Sequence, residues 1–404
     1  MAKKVVFVGL SGGVDSAVSV GLLKEANYEV VGVFIKTWHP EIFPCNEEEE
    51  RRDAMRVAAY FDIPFLTFDF EDVYKKEVAD YMISEYRIGR TPNPDVMCNK
   101  HVKFGAFLKK AISMGADFVA TGHYAKNAES AFLNGLAGRG TRRTEDLKKS
   151  HFLHFLFKGK DFAKDQSYFL WTLKQEQLKK ILFPVGHLKK TEVRKLAKKF
   201  NLPVAEKHDS QGICFLGDID LKEFLKHYIK EKKGKVLNTK GKIIGWHNGV
   251  VFSTLGERHG FTITTKSPND GPYYIVSKDV KKNILFVSQD RNILSESPRK
   301  IQKNNLNNFP AFALGGIGQG THGSLNFSNS FFELENTNWI SGVPEQNKIY
   351  TTQIRYHGEF LPCKVKIINK TEAEIIFKKP VLVASGQSCV IYDKDVCLGG
   401  GVVV

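Results

Sequence analysis

Apolar residues along this chain fall into two regimes. Over the first half, short continuous apolar runs alternate with segments of helical spacing. Val5-Val6-Phe7-Val8 and Val30 to Ile35 are runs without polar interruption, as in strands buried on both faces. Pro64 to Phe68 reads as a third strand and Phe118-Val119-Ala120 as a fourth. Between them, Val14, Ala17, Val18, Gly21 and Leu22 share one helical face, and Phe104, Phe107, Leu108 and Ala111 share another. Glu47 to Phe61 is a helix that opens on four glutamates, the charge its macrodipole favours at that end. This βαβα order predicts a parallel sheet covered by helices on both faces. Ligands of such sheets sit at the carboxyl ends of strands, so Ser11, Ile35 and Gly122 are placed to border one pocket.

From Gly217 the texture changes. After a helical stretch at Leu221 to Ile229 come short runs divided by turn residues: Lys242-Ile243-Ile244, Gly249 to Phe252, Tyr273 to Val276 and Ile284 to Val287. They predict a small, mainly β module. Arg291 to Asn308, rich in Asn, Ser and Lys, reads as a linker. Beyond Pro310, Lys364 to Ile368 and Glu372 to Phe377 nearly alternate in polarity, as in a half-exposed antiparallel sheet, and a closed barrel is the economical architecture. The expected division is 1–216 for an α/β nucleotide-binding domain, 217–300 for the central β-rich domain and 301–404 for the barrel. Asn127 to Lys160 interrupts the first rhythm with a polar, basic, Gly-rich stretch, Gly138 to Arg143, read as an exposed loop.

Composition narrows the class. No apolar run approaches the ~20 residues of a membrane helix, and Met1-Ala2-Lys3-Lys4 leads straight into a strand without a signal peptide. A cytoplasmic protein without a membrane partner is expected. Six cysteines in 404 residues, with no CxxC pair, exclude a disulfide scaffold and argue against a structural metal. The net charge of +15 favours polyanions through counterion release, although the lysine-rich usage of an AT-rich genome produces the same balance.

The chemistry begins at residues 9–16, Gly-Leu-Ser-Gly-Gly-Val-Asp-Ser, between the first strand and the first helix. Gly12 and Gly13 let backbone approach an anion, and the free N–H groups at the helix start favour negative charge. The loop lacks a Gly-Lys-Ser/Thr ending, so no lysine within it clamps a terminal phosphate. An ordinary tight turn is the alternative. Two cysteine segments follow: Thr91-Pro92-Asn93-Pro94-Asp95-Val96-Met97-Cys98-Asn99-Lys100 and Asp209 to Gly217 around Cys214. The prolines fix an extended approach to Cys98, which is expected just before a helix beginning near Asn99 or Lys100, where a thiol loses its proton more readily. Taken alone, each cysteine reads equally as an inert buried thiol. The run Phe152, Phe155, Phe157 beside His151 and His154 reads as strand packing, with nucleotide stacking as the alternative.

The loop resembles the SGGxDS pyrophosphate loop of adenylating ATP pyrophosphatases. Together with Thr91–Phe104, Thr121–Ala125, Lys164–Leu170, Asp209–Gly217, Gln353–Tyr356 and Ser385–Val390, it makes the chain similar to the tRNA-specific 2-thiouridylases over nearly its whole length. That resemblance implies an ATP-dependent enzyme using magnesium with ATP, tRNA as substrate and a persulfide-donating protein as partner. Gly9, Leu10, Ser11, Gly12, Gly13, Val14, Asp15 and Ser16 would hold the phosphates, and Ile35 and Gly122 would line the nucleoside pocket. Cys98 resembles the nucleophile and Cys214 the persulfide carrier, the cycle ending in a Cys98–Cys214 disulfide. Asn93, Pro94 and Asp95 would meet the target base, with Asp95 in acid/base chemistry. His123, Lys164, Asp165, Gln166, Arg355, Tyr356 and Gln387 resemble tRNA-contacting positions. Departures from the family are the long His123–Lys164 segment, the padded linker and isoleucine at position 35, often methionine in relatives. Two alternatives stay open: an amidating ATP pyrophosphatase, which needs no thiol pair, and a tRNA-binding chaperone with a vestigial nucleotide loop.

Overall fold

The computed structural model describes residues 2–43, 45–129, 153–208, 220–265, 270–290, 330–379 and 381–404. Three sheets organise them. The first is parallel throughout, in the order β3 (Phe65–Asp69), β2 (Glu29–Lys36), β1 (Val5–Gly9), β4 (Phe118–Ala120), β7 (Ile181–Leu182). Its chain order reverses between β1 and β4, the switch point at which open α/β sheets bind ligands. Helix α1 (Val14–Glu25) follows β1 and α2 (Glu47–Tyr60) follows β2. The one-sided apolar face read for α1 understates its burial. Ser16, Ser19 and Gly21 are buried as well, because the helix lies between the sheet and the helix Lys190–Lys199. A Cβ at Gly21 would sit 2.6 Å from the Phe200 ring, so only glycine permits this close packing.

The central sheet runs β10 (Phe261–Ile263), β9 (Ile243–His247), β8 (Gly234–Asn238), β12 (Ile284–Ser288), β11 (Tyr274–Asp279). All its pairings are antiparallel except β8 with β12. Val250–Phe252, expected as a strand, is instead a single 3₁₀ turn. Val250 N–H is taken by the Asn283 side chain at 3.1 Å, which draws this backbone out of any ladder. The third sheet closes on itself: β13 (Ser330–Trp339), β16 (Ala373–Phe377), β15 (Leu361–Ile367), β14 (Tyr350–Gln353), β17 (Ser388–Asp393) and β18 (Val396–Val403), with β13 pairing back to β18. The parallel α/β sheet, the central β module and the antiparallel barrel expected from sequence are thus all present.

The barrel is not independent of the first half of the chain. The hairpin β5 (Ala125–Glu129) and β6 (His154–Lys158) leaves the α/β layer and extends the third sheet, Phe157 opposite Val396 and Leu156 opposite Cys397. Phe155 and Leu156 are buried, in accord with the packing reading of this run, while His151 and Phe152 lie outside the described residues.

Candidate nucleotide and sulfur-transfer site

The loop 9–16 follows β1 directly. Leu10 N–H donates to Val33 O at 2.8 Å, so the strand pairing extends one residue beyond Gly9. Gly12 then takes φ +70°, and a Cβ there would meet Glu50 O at 2.5 Å. Gly13 occupies the N-cap of α1 with extended backbone, and no side chain caps the first turn. Ser16 Oγ donates to Gly13 O at 3.0 Å and accepts from Ser11 N at 3.4 Å, which closes the loop around its own backbone. A glycine N-cap, uncapped N–H groups and a positive dipole end make a cradle that fits phosphate.

Around the loop, Ile35 packs beside the end of β1 and Gly122 beside the start of α1. A Cβ at Gly9 would lie 3.8 Å from Ile35 Cδ1 and 3.8 Å from Thr121 Cγ2. One at Gly122 would press within 2.8 Å of Ser16 N, so the turn after β4 rests on the start of α1.

Asp15 is the one carboxylate of the loop. Its oxygens accept from Lys190 Nζ at 2.7 and 2.8 Å and from Tyr124 Oη at 2.7 Å. Lys190 opens the helix Lys190–Lys199, and nothing in its local sequence signals this role. The pair takes the negative charge of Asp15 away from the place where phosphate charge is expected. On the other side of the loop, buried Asp53 of α2 is bound by Lys207 at 2.6 Å. Sequence reading misses both lysines because each meets its partner only through the tertiary fold. Among the described residues, no group of three or more His, Cys, Asp or Glu side chains is placed to hold a metal ion.

Cys98 stands elsewhere than predicted. The helix does not begin near Asn99 or Lys100: Asn93 is the N-cap, its side chain accepting from Val96 N at 3.2 Å, and Pro94 is the first helical residue. The thiol therefore sits one turn inside, at the start of a wider-wound segment, Cys98–Phe107, and is 1% exposed. Pro94 at the first position, with Asn before it, is the signal that locates this start. Asp95 and Asn93 are half-buried beside it. The same segment docks on the barrel through Thr91 N–H to Ser385 O at 2.7 Å. Gly386, at φ +90°, admits that contact, because a Cβ would meet Thr91 N at 2.9 Å. Half-buried Gln387 follows directly, its carbonyl paired with Val403 N–H at 2.9 Å. Cys214 lies outside the described residues.

The residues read as tRNA contacts divide. Arg355 is exposed, Lys164 is half-exposed, and Tyr356 packs tilted against Phe169 with ring centroids 4.4 Å apart. Burial raises the Tyr356 hydroxyl to a pKa of about 12, aided by the charges of Asp165, Asp95 and Asp161, so the barrel residue and Asp95 share one neighbourhood. Asp165 lies inside the turn. Its buried carboxylate accepts from Gly159 N, Ser167 N and Ser167 Oγ at 2.9 to 3.1 Å and organises its own turn. Gln166 likewise exchanges hydrogen bonds with the Tyr124 backbone, 3.0 Å each way. His123 is packed as a strand-end histidine: 7% exposed, its Nδ1 2.8 Å from Thr121 Oγ1, its ring between Phe104 and Phe183.

Burial, with Lys103 adding to it, holds the His123 imidazole neutral, well below the ordinary 6.5. A depressed pKa contributes stability that is complete above the unfolded value and is lost as pH falls from there through the folded one. Thermal unfolding is expected to shift to lower temperature as pH drops below about 6.5, and His123→Gln is expected to flatten that slope. An unchanged slope in the variant would assign the effect elsewhere, His247 being a second buried imidazole among the described residues that burial depresses.

The fold and loop define an α/β nucleotide-binding enzyme carrying two β modules. Residues 4–218 match the family model of the tRNA methyl transferase HUP domain. Residues 222–289 match the tRNA methyl transferase PRC-barrel domain, and 329–403 the aminomethyltransferase beta-barrel domain. The chain is 38% identical over 402 residues to the tRNA-specific 2-thiouridylase MnmA of Listeria monocytogenes, covering 98% of this chain and 94% of that one. It is 37% identical over 409 residues to the enzyme of the same name from Nitrosomonas europaea, covering 100% and 99%. The chain belongs to the tRNA-specific 2-thiouridylase family of enzymes. Among solved structures, U34-tRNA thiolase NcsA from Methanococcus maripaludis aligns over 56% of this chain and 67% of that one at 20% identity and a TM-score of 0.31.

Proposed function

We propose that this enzyme thiolates tRNA, replacing oxygen by sulfur at position 2 of the wobble uridine of tRNAs for Lys, Glu and Gln at the expense of ATP. The observation that carries this reading is one rigid element. The segment Cys98–Phe107 bears Cys98 and adjoins Asp95 at one end, and at the other Phe107 Cε1 lies 3.8 Å from where a Cβ of Gly9 would be. A single helix thus ties the thiol to the base of the phosphate loop, which supports a sulfur chemistry held in fixed relation to the nucleotide.

In this scheme the uridine O2 attacks the α-phosphate of ATP, and pyrophosphate leaves across the cradle formed by Gly12, Gly13 and the start of α1. The uncapped N–H groups there stabilise the departing charge. Magnesium, when bound with ATP, shields the phosphate oxygens. Asn93 and Asp95 hold the base, Asp95 exchanging its proton. A persulfide sulfur on Cys214, supplied by a donor protein, then attacks C2 and AMP departs. The Cys98 thiolate attacks Sγ of Cys214, leaving 2-thiouridine and a Cys98–Cys214 disulfide that a cellular thiol reduces. Sulfide freed from the persulfide gives the same products. A cycle that must be reset by reducing thiols suits the cytoplasm, where such thiols are maintained.

The test is product analysis. Full-length protein with unmodified tRNA for Lys, ATP, magnesium and a sulfide source is expected to yield 2-thiouridine and one pyrophosphate per sulfur, read by nucleoside mass spectrometry. Pyrophosphate release with nitrogen incorporated instead would establish an amidating ligase, and the absence of pyrophosphate release with any tRNA would leave only a binding protein.

A further inference from the structure

Phe162 is 73% exposed, the most exposed large apolar side chain among the described residues. It stands on a turn that the fold holds rigidly. Asp161 Oδ1 accepts from Ala163 N at 3.1 Å, and Asp161 O accepts from Lys164 N at 3.0 Å. Lys160 N–H donates to Gly186 O at 2.9 Å, and Asp165 ties down Gly159 before the turn and Ser167 after it. The ring is left facing solvent on a backbone that is itself well held.

The turn also adjoins the nucleotide site. Asp161 Oδ2 accepts from Lys190 N at 2.8 Å, and the side chain of the same Lys190 holds Asp15 of the phosphate loop. Lys160 and Lys164 flank the ring in sequence, and the Asp161 bond brings Lys189 and Lys190 beside the turn, on a chain of net charge +15. Lys160 is engaged by Glu192 at 3.0 Å, so it stiffens the frame. An exposed aromatic face held out among ammonium groups matches an unpaired nucleotide, with a flat base to stack and phosphates alongside. An apolar protein surface would match the ring but not its lysines.

We infer that Phe162 stacks on an unpaired base of the bound tRNA, with Lys164 serving the adjoining phosphate. This rests on the reading of tRNA as substrate. The test measures affinity of the full-length protein for unmodified tRNA for Lys across a salt series. Phe162→Ala is expected to weaken binding about 5- to 100-fold with an unchanged salt slope, because stacking releases no counterions. Lys164→Gln is expected to reduce the slope by ~0.8. Phe162→Trp is expected to restore binding, with indole emission that changes on adding tRNA. Ile349→Ala, an exposed apolar position on the barrel, serves as the control and is expected to bind like wild type. Wild-type-like affinity of Phe162→Ala, or unchanged emission from Phe162→Trp, would overturn the inference while leaving tRNA as substrate. Failure of the unaltered protein to bind tRNA would remove both.

Discussion

Cys98→Ser is expected to lower 2-thiouridine formation by on the order of 10³-fold or more, because a hydroxyl neither forms nor resolves a disulfide at neutral pH. The substitution is nearly isosteric in a site that is 1% exposed, so the helix and the Asn93 cap persist and tRNA binding stays close to wild type. Burst measurements then separate the two half-reactions. Pyrophosphate release in a single turnover should survive in the variant while sulfur incorporation is lost. Full sulfur transfer by Cys98→Ser would remove the thiol from the mechanism, whatever its position.

Gly12→Ala should be nearly as severe by another route. At φ +70° an added methyl costs about 1–2 kcal/mol from local crowding alone. It would also sit 2.5 Å from the carbonyl oxygen of Glu50, a backbone atom of α2 that cannot swing away as a side chain does. The loop must move off α2, and the N–H groups of the cradle diverge. We expect the KM for ATP to rise at least tenfold, with pyrophosphate release falling in step. Gly13→Ala is the informative partner. There the nearest heavy atom to a new Cβ is Ser11 Oγ at 3.3 Å, so thermal stability should barely change while the methyl intrudes on the phosphate. If both variants bind ATP normally, the cradle is not where phosphate rests.

These contrasts mark what is legible in sequence. The loop 9–16 is readable because two glycines between an apolar strand and a helix have few other uses, and Gly12 does adopt a backbone other residues avoid. The parallel strands are readable because burial on both faces leaves an uninterrupted apolar run. The helix that carries Cys98 starts a turn earlier than its spacing suggests, although Asn93 and Pro94 together mark that start. At Val250 an apolar run imitates a strand, and only the distant Asn283 side chain decides otherwise. The harder misses are of this tertiary kind: Lys190 and Tyr124 converge on Asp15 from 175 and 109 residues away. Asp165 and Gln166 likewise bond to Gly159, Ser167 and Tyr124, partners that their local spacing does not reveal. Spacing reports which face a residue occupies, and it does not report which distant group will satisfy it.

The hairpin β5–β6 has a consequence for how the protein is made. Its outer neighbour β18 emerges roughly 240 residues after β6, an interval of about 10–50 s at ordinary translation speeds. Throughout that wait β6 offers an open edge beside the nucleotide site, which invites pairing with the wrong chain. A nascent polypeptide therefore cannot complete its third sheet until β18 has left the ribosome, and a chain stalled before Val396 is expected to clump rather than to act as a partial enzyme.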